Sequence, residues 1–312
     1  MSEIVTSVES KNPEGVKYSP LAFAIVSLIV VFMLYQIVGG SIAIILAGGN
    51  ITINNVTLAR AITMVAQFLF LLIPTLWLAR TQHGKIRNVL KWKMPKASEI
   101  ILSILGMAAL LQVAEGYVYF QDKIPLPPSI APFVEMLKKF IEETYKVLVE
   151  THSLPELFFV IAVAALTPAI CEEILFRGLV QKNLTLASNS VKGFIITGII
   201  FGLYHFNPFL AVPLVALGIY FSFLHYRSQT LFIPILAHFV NNTLSVITAY
   251  VYGFEQSDVP SLLAKGTGEV SSMAILSSTI IFAIIFFLII RMYIKVTEPV
   301  GENSEPEHGA TA

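Results

Sequence analysis

Residues 21–47 contain no charged side chain, and apolar runs of similar length recur as far as residue 290. In such a stretch the backbone must satisfy its own N–H and C=O groups without water, which leaves helices or a closed barrel as spanning structures. Runs near 20 consecutive apolar residues select the helix. Eight spans are expected on this criterion, over residues 20–47, 57–79, 98–119, 155–185, 191–206, 209–226, 231–252 and 273–290, the fifth being short. The expected fold is therefore all-α: a polytopic membrane bundle of about eight transmembrane helices. Composition agrees, with 13% charged residues in 312 against roughly 25% in soluble chains and a mean hydropathy of +0.76.

The same features exclude several function classes. Twenty basic and twenty acidic residues balance to zero formal charge, so no nucleic-acid partner is expected. Cys171 is the single cysteine, which removes an intramolecular disulfide framework and a cysteine-based zinc site. The first apolar run exceeds a signal-peptide core and reads as a retained helix.

Lys and Arg in short loops orient the bundle. The link 80–96 holds Arg80, Lys85, Arg87, Lys91, Lys93 and Lys96 with no acidic residue, and Lys11, Lys17, Lys182, Lys192, Arg227, Arg291 and Lys295 fall on the same side. Both termini are thus expected in the cytoplasm. Five segments are expected: a cytoplasmic tail 1–19, N-terminal helices with an amphipathic outer segment 20–154, a core 155–252, an outer loop with the last helix 253–296, and a tail 297–312 whose Glu-, Pro- and Gly-rich composition predicts disorder. Within 132–150 the apolar residues Phe133, Met136, Leu137, Phe140 and Ile141 keep a helical period opposite a charged face, which suits the outer membrane surface or the flank of the bundle.

One stretch breaks the apolar pattern. Residues 171–178, CEEILFRG, place Glu172, Glu173 and Arg177 after fourteen residues whose only polar side chain is Thr167. Ionisable groups at such depth are costly and mark functional sites by default. Comparable depth is reached at Phe201 and His205, and at His238 and Asn242, each pair four residues apart and so on one helix face. A hairpin turning near 188–190 sets Glu172 and His205 at equal distances from the turn. Glu173 is expected to pair with Arg177, leaving Glu172 to face His205, His238 and Asn242. Pro168 and Pro234 each precede such a residue by four, and should free a backbone carbonyl one turn ahead of it. The other histidines, His83, His152, His225 and His308, sit at helix ends, in loops or in the tail and receive no role. An apolar setting keeps the Cys171 thiol inert.

This set supports hydrolysis of an acyl bond by water. Glu172 and His205 would act on the water as general base, while the His238 imidazole and Asn242 amide would receive the oxyanion. A His₂Glu zinc centre built on Glu172, His205 and His238 is the competing reading, although no H-E-x-x-H is present.

Glu-Glu-x-x-x-Arg at Glu172, Glu173 and Arg177, Phe-x-x-x-His at Phe201 and His205, and His-x-x-x-Asn at His238 and Asn242, in this order, resemble the motifs of the CPBP intramembrane metalloprotease family, with its CAAX prenyl endopeptidases and Abi-like bacteriocin-processing or immunity proteins. The resemblance covers 155–252. It implies an eight-helix membrane fold, a glutamate-dependent endopeptidase without an obligatory cofactor, catalytic Glu172, His205, His238 and Asn242, and Glu173, Arg177 and Phe201 in support. Its partners would be membrane lipids and a membrane-associated peptide or prenylated protein; a prokaryotic plasma membrane is expected because no retention or targeting signal is visible in the sequence. A catalytically silent immunity or peptide-binding protein, and a proton-coupled transporter, are the alternatives.

Overall fold

The computed structural model describes residues 15–49, 51–52, 54–252 and 271–297; most of both tails and the outer loop 253–270 lie outside them. Among the described residues there is no strand, and nine helices follow in order: α1 (Pro20–Leu46), α2 (Val56–His83), α3 (Ala97–Gln121), α4 (Ala131–Val149), α5 (Leu154–Ala187), α6 (Ser190–Leu203), α7 (Ala211–Ser228), α8 (Phe232–Tyr252) and α9 (Ser272–Val296). Eight stand where spans are expected, and the ninth, α4, is the amphipathic segment. Six of the eight, α1, α2, α3, α5, α8 and α9, are long and apolar enough to cross a membrane. The other two form a hairpin that is short on its first arm. At 14 residues, α6 reaches only about 21 Å, less than the roughly 30 Å of a hydrocarbon core.

Local chemistry accounts for the boundaries. The Ser153 hydroxyl accepts from the Glu156 N–H and Pro155 occupies the first turn, which starts α5. The Asn189 side chain accepts from the Lys192 N–H and starts α6, so the turn from α5 into α6 falls at 188–189. The arms of α6 and α7 meet through Gly198 and Gly202 on one side and Gly218 on the other. A Cβ at Gly198 or Gly202 would collide with the backbone of Ile219 or Val215, and one at Gly218 with the Gly198 carbonyl. This is the small-residue approach that helices use where lipid supplies no hydrophobic drive.

Helix α5 is the centre of the bundle. Every residue from 173 to 181 is buried. One core joins Phe23 and Val31 of α1 and Leu71 and Leu78 of α2 to Cys171, Leu175, Phe176 and Leu179 of α5. A second joins α3, α7, α8 and α9 around Met107, Phe221, Leu224, Ile233 and Tyr293. Exposed Ile281, Ile284, Phe287 and Leu288 on α9, with Leu21, Ile25 and Ile29 on α1, form the surface that lipid covers.

Four widened π turns interrupt these helices: 33–39 in α1, 67–72 in α2, and 162–166 and 174–180 in α5. Each closes on i+5 in place of i+4, which shifts the facing of all that follows, and such turns concentrate at functional sites. The first two pack on each other, and the second also packs on the α5 segment Thr167–Glu173.

Arg60, 1% exposed, is a buried cation that sequence reasoning overlooked. Its guanidinium donates to the carbonyls of Val147, Leu148 and Glu150 and to the Glu156 carboxylate, the last at 2.7 Å. It thereby caps the C-terminal end of α4 and ties it to the start of α5. Arg60→Ala is expected to cost about 2–3 kcal/mol, since hydrogen bonds to a charged group are worth roughly 1.5–3 kcal/mol. The check is limited proteolysis, with new cleavage between 147 and 153 and a lowered melting midpoint in detergent.

Candidate active site

The adjacent α5 carboxylates of Glu172 and Glu173 part company by one residue's rotation. Glu173 is 0% exposed, and its Oε1 accepts from Arg177 Nη1 at 2.7 Å and from His238 Nδ1 at 2.9 Å. Arg177, also fully buried, donates through Nη2 to the Gly218 carbonyl at 2.9 Å, and its guanidinium lies 4.5 Å from the Phe201 ring centroid and 5.5 Å from that of Phe221. Burying this pair costs several kcal/mol per ion, offset in part by the ion pair and the bonds to His238 and Gly218, while Glu173 Oε2 and Arg177 Nε stay buried without a hydrogen-bond partner. The expected Glu173–Arg177 pair is present. The expected exclusivity is not: His238 is hydrogen-bonded to Glu173, and does not take Glu172 as its partner through Nδ1.

That bond decides what His238 offers. A carboxylate only accepts, so Nδ1 carries its proton toward Glu173 and Nε2 is the free nitrogen. The ring is held further by stacking on Phe221, centroids 5.2 Å apart, and by the edge of Phe201 at 5.7 Å. One helical turn on, Asn242 Nδ2 donates to the Ala164 carbonyl at 3.2 Å, and its Oδ1 accepts from Asn241 at 2.9 Å. Ala164 lies four residues before Pro168, which has no N–H to give it. The carbonyl freed in the π turn is thus taken by Asn242. Both contacts fix the Asn242 amide and leave its second N–H unassigned.

His205 stands just beyond the end of α6, in a turn closed by Phe206 at φ 51°, and it is exposed. Sequence reasoning had it inside a helix; the helix stops at Leu203. The i, i+4 relation to Phe201 survives the stop, because Nδ1 meets the Phe201 carbonyl at 2.8 Å and the rings lie 4.7 Å apart. The carbonyl again accepts, so His205 also presents Nε2. Phe201 is therefore the partition that both imidazoles touch. It packs in turn on Phe176, centroids 5.1 Å apart, one turn from Glu172.

Glu172 is half-buried, and its Oε2 is sealed from solvent without a hydrogen-bond partner. It lies in electrostatic reach of Tyr35 and Tyr204. Neither tyrosine was singled out from the sequence, nor were Gly218, Phe221 and Asn241, whose roles arise from α1, α7 and a doubled Asn that spacing does not distinguish. Among the described residues, no three His, Cys, Asp or Glu side chains are grouped to hold a metal ion.

The all-helical bundle, with six helices long and apolar enough to cross a membrane, is that of a multi-pass membrane protein. Residues 154–244 match the family model described as type II CAAX prenyl endopeptidase Rce1-like. The chain is 29% identical over 202 residues to a protein of Bacillus subtilis (strain 168) named "Putative membrane peptidase YdiL", the aligned part covering 64% of this chain and 77% of that one. No solved structure matches. Over α5 to α8 the chain is thus similar to the type II CAAX prenyl endopeptidase Rce1-like family, and over a longer stretch to a protein named as a membrane peptidase.

Proposed function

We propose that the chain is an intramembrane endopeptidase that hydrolyses a peptide bond of a membrane-associated peptide or prenylated protein. Glu172, with His205 Nε2, draws a proton from the attacking water. His238 and Asn242 receive the oxyanion of the tetrahedral intermediate. With Nδ1–H committed to Glu173, His238 donates from Nε2 only as the imidazolium, so Glu173 serves as its countercharge while Arg177 holds Glu173 in place. The observation that carries the reading is the single Glu173 oxygen shared by Arg177 and His238: it separates a carboxylate that orients from the neighbouring Glu172, left available for chemistry. The membrane is proposed to be a prokaryotic plasma membrane, with both termini cytoplasmic.

The test is comparative peptidomics of membranes from cells carrying wild-type protein or Glu172→Ala, followed by cleavage of a fluorogenic peptide with a farnesylated Cys-aliphatic-aliphatic-X end. Products present only with wild type are the expected result. Protection of cells against a peptide toxin that survives Glu172→Ala would instead assign an immunity role, and pH-driven solute flux in liposomes a transporter. Cleavage is expected to persist in strong chelator, with no zinc by elemental analysis; loss of activity restored by added zinc would reverse the role given to Glu172.

A further inference from the structure

His238 stands six residues into α8, about 9 Å from the end of the bundle that carries the basic link 80–96, yet the space between is filled. The link folds back under the site. Its Val89 is buried against α5, where a Cβ on Gly178 would lie 3.1 Å from the valine side chain and 3.9 Å from that of Leu231. Around it Leu175, Leu179, Leu224, Leu231 and Ile233 are all 0% exposed. Hydrogen bonds fasten this floor to the α7–α8 turn: the Leu231 N–H donates to the Lys91 carbonyl at 2.9 Å, Lys91 Nζ to Gln229 Oε1 at 2.7 Å, and the Lys93 N–H to Thr230 Oγ1 at 3.2 Å. The opposite side of the site is open. Going that way Asn242 and Ala164 are half-buried, and His205 is exposed together with Leu203, Phe206 and Pro208. His205 is only four residues from Phe209, whose carbonyl accepts from Gln121 Nε2 at the end of α3 at 2.9 Å. At that same end Tyr119 and Lys123 meet Ser272, the first residue of α9. These are the helix ends remote from the basic link.

We propose that the site is served from the non-cytoplasmic face alone, and that its substrate is a peptide segment displayed at the outer leaflet. Two observations combine in this. The Lys and Arg of the link place the floor in the cytoplasm, and the only graded rise in exposure around Glu172 and His238, among the described residues, runs from Asn242 to His205 and away from that floor. A prenylated chain anchored in the cytoplasmic leaflet would meet buried Val89 and Leu231 in place of His205. The inference rests on the endopeptidase reading and narrows its substrate to exported, membrane-associated peptides.

The experiment uses the full chain in bacterial cells and two readouts. The native Cys171 is 0% exposed, so a cysteine placed elsewhere reports alone. Pro208→Cys marks the open side and Lys85→Cys the basic link, both exposed positions. A membrane-impermeant maleimide added to intact cells should label Pro208→Cys and spare Lys85→Cys until the cells are broken. The second readout is cleavage of a fluorogenic peptide made impermeant by a sulfonated dye. Wild type should cleave it in spheroplasts and lose that cleavage in sealed inside-out vesicles, with detergent restoring it. Cleavage confined to inside-out vesicles, or labelling of Pro208→Cys only after the cells are broken, overturns the inference and leaves the endopeptidase reading standing. Labelling of both positions in intact cells also overturns it, because the floor would then not face the cytoplasm. If wild type cleaves nothing even in detergent, the endopeptidase reading fails, and the labelling pattern still decides on which face the site opens.

Discussion

Glu172→Gln is expected to lower kcat by about 10²–10⁴-fold, the usual contribution of a positioned general base, while KM and the melting midpoint stay close to wild type. The substitution keeps the side chain's size and polarity and removes only its capacity to take a proton. Its small structural cost follows from the bonds on the page: Glu172 Oε2 has no hydrogen-bond partner to lose, and Arg177 and His238 both bind the neighbouring Glu173. The measurement is steady-state cleavage of the farnesylated peptide beside thermal melting of the same preparation. Activity within a factor of three of wild type would remove Glu172 from the mechanism. A melting midpoint lowered by many degrees would instead make Glu172 a structural brace, which the absence of a partner on Oε2 argues against.

Depth was the part of the site most legible in the sequence. A charge-free approach of fourteen residues followed by Glu172, Glu173 and Arg177 fixes how far into the bundle the carboxylates lie, and the turn at 188–189 returns the chain so that the Phe201 face meets the Phe176 face. Pro168 also read correctly in physical terms: a proline removes one N–H, and the carbonyl it frees, that of Ala164, is the one Asn242 takes. These inferences depend only on rise per residue and on which backbone groups lack partners.

Facing was harder to read. The sequence argument turned every residue by the regular helical angle, and four π turns break that regularity. Two of them flank Glu172 and Glu173 in α5, so the direction of each carboxylate toward α8 could not be settled by counting, and His238 fell to Glu173. The partners of Arg177 were invisible for a different reason. A guanidinium enclosed by Phe201, Phe221 and a Gly218 carbonyl depends on α7, where no polar residue announces the contact and only the small size of Gly218 permits it. His205 ended outside its helix because Phe206 takes a left-handed conformation, which no preference of phenylalanine predicts.

The second large effect concerns Arg177. Arg177→Met should destabilise the protein by about 3–5 kcal/mol, since removing one member of a buried ion pair leaves the other uncompensated, here Glu173 at 0% exposure. Thermal melting in detergent should register this as a large fall in midpoint or as failure to fold. The double variant Glu173→Leu/Arg177→Met replaces both charges by apolar groups of similar volume, and should recover most of the stability, as buried pairs often do when exchanged whole. Cleavage should not recover with it. Without Glu173, His238 Nδ1 has lost the acceptor that sets its tautomer and supplies its countercharge, and loss of such an orienting partner costs about 10²-fold or more. A folded double variant with near wild-type cleavage would reduce Glu173 to a partner for Arg177 and would detach His238 from the proposed oxyanion site. A folded and inactive one would show that the paired charges are retained for the imidazole they aim, at some expense in stability.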